Sequence, residues 1–296
     1  AWTAAASTKS NGTTSYFEIK SPDNRYLQVR FDLTSGDGLY TDVIDSYTVN
    51  YYTDSSAPTN PTSLSSYSTS GQVTPITTNT WYAHTAPNFD WPDADAVGGA
   101  TDSSGGAGVA GYYVYFGTNS SADPVTDGAL QSTTAFTASS LVSGSTYYLR
   151  IKTKDDAGNV AATTWQPFIY KLDTTVPTNP TTVTSDPPGY SATNSFDFSW
   201  NAGSDADSGI ATYCYKTGAV GAVETCTAST TITDIAAYQS GANTFYVRAK
   251  DTAANFASSY VNASYYYSST APSAPQNIEA EPSTNTVNEF AFSWDP

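Results

Sequence analysis

The sequence predicts an all-β chain of tandem sandwich domains, and three observations carry that expectation. The stretch YYLRIKTKDDAGNV at 147–160 alternates apolar and polar residues and then breaks into turn residues. It returns as FYVRAKDTAANF at 245–256, so the unit that contains it recurs. Tyr, Thr and Ser are abundant and no long apolar face of period 3.6 is present, which leaves helix a minor part. In the first stretch Tyr147, Leu149, Ile151 and Thr153 face one way, and Tyr148, Arg150, Lys152 and Lys154 the other. That is the period of a half-buried strand with its cationic side outward. The cluster Asp155-Asp156-Ala157-Gly158-Asn159 then reads as a turn.

Length and charge narrow the class. A chain of 296 residues holds roughly two or three domains of ~100–150 residues each. Net charge is −16, from 11 basic and 27 acidic residues. So acidic a surface repels phosphate backbones, which sets nucleic acid aside as a partner, and it favours divalent cations. No run reaches the ~18 apolar residues of a membrane span, so no membrane-spanning segment is expected. The chain begins at Ala1 rather than Met, and FAFSWDP at 290–296 repeats FDFSW at 196–200 and NFDW at 88–91. It therefore reads as a segment of a longer polypeptide, with 271–296 the first two strands of a further, truncated repeat.

Residues 1–54 read as the closing strands of an incomplete sandwich. FEIKS, RYLQVRFDL and DSYTVNYYT are strand-like, with SPDN and TSGDG as turns. From RYLQVRFDL onward the run resembles the last strands of jelly-roll-like modules in bacterial surface proteins. The next boundary, DSSAPTNP at 54–61, returns as DTTVPTNP at 173–180 and SSTAPSAP at 268–275. Each copy sets two prolines three apart: Pro58/Pro61, Pro177/Pro180 and Pro272/Pro275. Proline fixes φ, so these are stiff, extended linkers that lead into the first strand of the next domain.

The second unit spans 55–172. A poorly patterned arm runs to Pro87, followed by NFDW, the loop PDADAVGGATDSSGGAG, the strand VAGYYVYFG, the recurring strand and turn, and WQPFIYKL. The third unit, 173–270, repeats this order with shorter loops: FDFSW, NAGSDADSG, IATYCYKTG, TTITDI, NTFYVRAKDTAANFA and VNASYYYS. Trp91, Trp200 and Trp294 recur at intervals of about 100 residues, which with seven or so short strands per repeat indicates immunoglobulin-like sandwiches.

The second unit resembles a fibronectin type III domain, as found in tandem in bacterial cell-surface proteins. Trp91, Trp200 and Trp294 sit where that family places its second-strand core tryptophan. Leu141, Thr146 and Tyr147 match its L-x-x-x-x-T-Y run into the sixth strand. The resemblance implies that Tyr147 is the corner tyrosine, its hydroxyl bonding back to backbone near Leu141. The third unit departs, with Phe245 at that position, so its corner must be held otherwise. D-x-A-G-N with a Pro-rich entry is common in bacterial immunoglobulin-like repeats. The likeness covers roughly 55–296.

Catalysis finds little to work with. His84 is the one histidine, in a polar arm, and no Ser-His-Asp set assembles around it. No Gly-rich phosphate loop precedes a helix. Cys214 and Cys226 flank YKTGAVGAVET on one hairpin and read as a disulfide of an exported chain, with buried free thiols as the alternative.

The acidic loops carry the sharpest hypothesis. In a seven-strand sandwich the entering linker, the loop after the second strand and the loop after the sixth share one end. Carboxylates recur in all three: Asp54, then Asp93, Asp95 and Asp102, then Asp155 and Asp156; in the third unit Asp173, then Asp205 and Asp207, then Asp251. Clustered carboxylates and loop carbonyls suit Ca²⁺, which would stiffen the joint between domains. Caps on their own turns explain the same residues without metal. The third linker carries Ser268 and Ser269 instead of Asp.

Trp81, Tyr82, Trp165 and Tyr265, Tyr266, Tyr267 are candidates for stacking on glycans, with in-and-out strand alternation the plainer account. Asn11, Asn119 and Asn262 begin N-x-S/T triplets.

These features describe a non-enzymatic stalk or adhesive segment of a large exported cell-surface or filament protein. Its partners are neighbouring domains of the same polypeptide or other subunits of a surface assembly. One alternative is a carbohydrate- or ligand-binding accessory module of an extracellular enzyme. Another is a filament subunit that assembles by strand complementation of incomplete terminal domains.

Overall fold

The computed structural model describes residues 54–103, 106–274, 276–281 and 291–295. The strands expected before residue 54, and Asn11, lie outside the described residues. The chain divides near residue 172 into two compact units.

The first unit contains β1 (Ser65–Tyr67), β2 (Thr80–Tyr82), β3 (Asn88–Asp90), β4 (Val109–Gly117), the single-turn α1 (Pro124–Asp127), β5 (Ala129–Gln131), β6 (Ala135–Thr137), β7 (Ser145–Asp155) and β8 (Trp165–Leu172). One sheet has the order β1-β3-β6, the other β2-β8-β7-β4-β5. The long strands β4 and β7 pair antiparallel, and β7 buries every second residue: Tyr147, Leu149, Ile151, Thr153 and Asp155. Phe89, Tyr112, Val114, Phe168 and Tyr170 complete the core. Trp91 lies edge-on against Tyr112 at 5.4 Å. The arm before Pro87 shows no pattern in sequence yet holds both β1 and β2. Three-residue strands with half-exposed side chains are too short to display a period of two.

The second unit repeats the plan with β9 (Val183–Asp186), β10 (Tyr190–Ser191), β11 (Phe196–Trp200), β12 (Ile210–Thr217), β13 (Thr225–Thr227), β14 (Thr231–Ile235), β15 (Gly241–Asp251) and β16 (Val261–Tyr267). Its sheets run β14-β11-β9 and β10-β16-β15-β12-β13. Phe196, Phe198 and Trp200 from β11 meet Phe245, Val247 and Ala249 from β15, with Tyr213 and Tyr265 closing the core. Trp200 lies edge-on against Tyr213 at 5.8 Å, repeating the first unit's pair. Farther along, β17 (Gln276–Glu281) and β18 (Ala291–Asp295) form an antiparallel pair; Trp294 lies on β18.

The first two Pro-rich segments belong to the sandwiches they precede, whereas Pro272 of the third is exposed. Pro58, Pro61, Pro177 and Pro180 are buried. Between each pair, Thr59 N–H donates to the Thr101 carbonyl at 2.7 Å and Thr178 N–H to that of Ser204 at 2.8 Å. The asparagine of each P-T-N-P then locks the segment in place. Asn60 Oδ1 accepts from Thr153 N–H and its Nδ2 donates to the Thr163 carbonyl. Asn179 does the same with Ala249 N–H and the Ser259 carbonyl.

The two corners before the long strands are held differently. Tyr147 stacks on Phe116 at 5.3 Å. Phe245 instead stacks on Phe198 at 4.0 Å, and the corner work passes to Asn243, which is 1% exposed. Its Oδ1 accepts from Tyr238 and Gln239 N–H, and its Nδ2 donates to the Gln239 and Gly241 carbonyls. One amide thus satisfies four backbone groups.

The arginines on the outer faces of β7 and β15 are tied down rather than free. Arg150 donates to the Ala122 and Ser120 carbonyls and to Gln166. Arg248 lies over the Phe256 ring at 4.0 Å and makes two parallel bonds to Glu224, both 2.7 Å. Cys214 and Cys226 face each other across β12 and β13 and are bonded.

Asn243→Ala is expected to cost the second unit about 2–3 kcal/mol in urea unfolding, since backbone groups at the corner lose their partners. Glu224 is held below its ordinary value of 4.5, chiefly by its hydrogen bonds to Arg248. Its contribution is therefore complete above about that pH and is lost as pH falls through the lower folded pKa. Glu224→Gln is expected to destabilise by about 1 kcal/mol at neutral pH and by nothing measurable in acid, read from thermal unfolding at both pH values.

Candidate functional site

The alternation of β7 runs one residue further than the sequence suggests. Asp155, read as the first residue of a turn, is the last residue of the strand, points inward and is fully buried. Asp251 ends β15 in the same way at 1% exposure. A buried carboxylate needs donors, and the turn supplies them. Asn159 gives its N–H to Asp155 Oδ1 at 2.7 Å and its Nδ2 to Oδ2 at 2.8 Å. Asn255 binds Asp251 at the same two distances. Each asparagine also reaches the entry segment, at the Asp54 carbonyl in one unit and the Asp173 carbonyl in the other.

Around each strand end the entry segment and the preceding loop bring two more carboxylates. In the first unit Asp54, Asp102 and Asp155 place one carboxylate oxygen each within 4.8 Å of one another; in the second, Asp173, Asp205 and Asp251 do so. Asp54 accepts from Ser56 and Ala107 N–H. The Ala107 bond is the larger cause of its lowered pKa. Asp102 accepts from Ser103 and Gly108 N–H. Asp173 accepts from Thr175 and Ser208 N–H. Asp205 Oδ1 takes three N–H groups, from Asp207, Ser208 and Gly209. Burial pushes the Asp251 carboxyl up, and the charges of Asp173 and Asp205 push it further.

Of the other acidic candidates, Asp207 borders the second cluster through Ser143, whose Oγ reaches both Asp173 and Asp207, and the rest stand apart. Asp93, Asp95 and Asp156 are exposed, and Asp93 accepts from Thr134 Oγ1. Asp207 accepts from Thr175 Oγ1. Among the aromatic candidates, Tyr265 is unavailable to a ligand: it is wholly buried, and burial pushes its hydroxyl up to about 12. Trp81, Tyr82, Trp165, Tyr266 and Tyr267 are half-buried. Tyr190, which sequence reasoning passed over, is 72% exposed. Its ring sits 5.0 Å from that of Tyr266, across the parallel pairing of β10 with β16. His84 is exposed, and its carbonyl accepts from the Tyr170 hydroxyl. Asn119 and Asn262 are exposed.

Sequence reasoning also missed Asn60, Asn179, Asn159 and Asn255. The signal was present: P-T-N-P and D-x-A-x-N are the phrases repeated with least change, and each preserves its asparagine.

The turn differs between units at one telling position. Gly158 has φ of 96° and Ala254 has φ of 75°. The left-handed region costs an L-residue about 1–2 kcal/mol. Ala254→Gly is therefore expected to stabilise the second unit by about 0.5–1 kcal/mol, and Gly158→Ala to destabilise the first by about 1 kcal/mol, both read from denaturant midpoints.

No protein-family model matches the chain. Exoglucanase B of Cellulomonas fimi is 32% identical over 207 residues, 68% of this chain and 16% of that protein. Chitinase A1 of Niallia circulans is 37% identical over 161 residues, 52% of this chain and 21% of that protein. The chain thus spans less than a quarter of the length of either relative. Among solved structures, the FN1–FN3 domains of chicken CNTN1 align with a TM-score of 0.38 and 13% identity, over 71% of this chain and 69% of that one. The Cys214–Cys226 bond is of the kind that persists in an oxidising, exported setting. With three strands packed against five in each unit, and a buried tryptophan at the end of each inner strand, the described chain is a tandem of fibronectin type III-like β-sandwiches.

Proposed function

We propose that this chain is a non-catalytic spacer, a stalk of sandwiches in series within a longer extracellular protein. The observation that carries the reading is the entry segment. In both units the two prolines of Pro-Thr-Asn-Pro are buried and its asparagine is hydrogen-bonded into the sandwich that follows. The chain leading into a domain is thereby part of its rigid body, as a spacer under load requires. The disulfide and the small share of each relative that the chain matches support a module in an extracellular setting.

A second reading, a carbohydrate-binding accessory module, draws on one surface feature. Tyr190 and Tyr266 form an aromatic pair at a sheet edge, and the two relatives are named for action on glucan and chitin chains. Aromatic faces of this kind stack on sugar rings.

Retention of the purified chain on insoluble cellulose and chitin separates the two. The spacer reading expects no saturable retention, and expects the sandwiches to survive limited proteolysis intact. Saturable retention that is lost in Tyr190→Ala replaces it with the second reading.

A further inference from the structure

From residue 54 onward the cations are not scattered. Arg150, Lys152, Lys154 and Lys171 lie on β7 and β8 of the first unit, and Lys216, Arg248 and Lys250 on β12 and β15 of the second; the sequence has no other Lys or Arg there. In a chain of net charge −16, every positive side chain of the two units is thus on a five-stranded sheet. The second unit shows the arrangement most fully. Phe245, Val247 and Ala249 point inward, so Tyr246, Arg248 and Lys250 point outward. Register adds Lys216, opposite Tyr246, and Tyr266, opposite Ala242, to the same outer face. Asp251 is the one acid on these five strands, and it is buried. The other sheet is opposite in sign: Asp186, Asp197 and Asp234 are exposed on β9, β11 and β14.

Rings are set among the cations. The contacts run from Lys250 over Phe256 at 4.9 Å, through Arg248 over Phe256 at 4.0 Å and over Tyr260 at 4.8 Å, to Lys216 over Tyr260 at 4.6 Å. Glu224 neutralises Arg248, whereas Lys216 and Lys250 have no ion pair among the described residues. Two ammonium charges are therefore left for a ligand, held in place by the rings beside them. Toward the other end of the face, the Tyr190 and Tyr266 rings lie 5.0 Å apart, with Tyr190 72% exposed. From Ala242, beside Tyr266, to Lys250 the face runs about 27 Å at the rise of a strand. That is too long for one sugar ring and suits a chain of them.

Aromatic faces stack on the apolar sides of sugars, and ammonium groups pair with acid groups as compact point charges. A linear chain of acidic sugars offers both partners at once, while a neutral glycan leaves Lys216 and Lys250 unused. We propose that the outer face of the sheet β10-β16-β15-β12-β13 binds an acidic polysaccharide, with Tyr190 and Tyr266 under its sugar rings and Lys216 and Lys250 on its carboxylate or sulfate groups. This goes beyond the spacer reading, since a spacer that rests on such a polymer is still a spacer.

Binding of the whole chain to immobilised polygalacturonate, dextran sulfate and unsubstituted dextran, followed by biolayer interferometry at low and physiological salt, tests the face. Saturable binding to polygalacturonate or dextran sulfate, weakened by salt and missing on dextran, is expected; the tighter of the two identifies the acid group. The double variant Lys216→Gln, Lys250→Gln keeps both stems over the rings, removes both charges and is expected to weaken binding about tenfold. Tyr190→Ala is expected to weaken it severalfold, whereas Asp197→Asn, on the other sheet, does not weaken it. Circular dichroism verifies that each variant is folded. No saturable binding to either acidic polymer overturns the proposal, as does binding undiminished in the double lysine variant. Single-stranded DNA bound as tightly as the polysaccharides overturns it too, because the face then reads charge alone. Retention on neutral cellulose or chitin bears on the spacer reading and not on this one.

Discussion

A carboxylate at the inner end of a core strand is the constraint on which each sandwich turns. The inward face of β7 runs Tyr147, Leu149, Ile151, Thr153 and then Asp155, and that of β15 runs Phe245, Val247, Ala249 and Asp251. A carboxyl group placed there must be met by hydrogen-bond partners, since it is shut away from water. The turn that follows is shaped to do so, with asparagine four residues on supplying two N–H groups. The same asparagine holds the incoming chain by its main-chain carbonyl. One buried charge therefore couples strand end, turn and entry segment.

Repetition separates what the fold requires from what it tolerates. The Asp–Asn clasp and the P-T-N-P asparagine recur with nearly the same distances in both units. The corner before the long strand does not: in the second unit an asparagine amide bonds the backbone there, while in the first the ring of Tyr147 stacks on Phe116. In the second unit the amide gives the corner's backbone groups the partners they need. The arginine in the middle of each long strand is likewise fixed in position but free in partner. It takes carbonyls in one unit and Glu224 between aromatic rings in the other.

These economies fix the path of the chain into each of the two sandwiches. Stiffness comes from prolines buried against the following sandwich and from short, fully bonded turns. The second unit adds a covalent tie across the paired strands β12 and β13. Surface chemistry stays sparse and acidic, which keeps such a chain soluble.

Much of the architecture was legible from the residues. Period-two alternation fixed the two long strands, the recurring tryptophans marked the second core strand, and paired prolines marked the entries. Loop order in a sandwich pointed to acidic loops at one end, but it did not separate Asp54, Asp102 and Asp155, or Asp173, Asp205 and Asp251, from Asp93, Asp95, Asp156 and Asp207, which the structure leaves out of the two groups. What the sequence could not show was which side of a boundary a residue falls on. Asp155 and Asp251 resemble turn residues in composition, yet the pleat carries them inward. Short edge strands β1 and β2 leave no periodic trace. Tyr265 and Tyr190 differ only in which face of a sheet they occupy, so one is core and the other open surface. The residues alone determined the long strands, their repetition and the acidity of one end. Tertiary structure decided which carboxylates are buried together, because burial depends on what the rest of the chain packs against a residue.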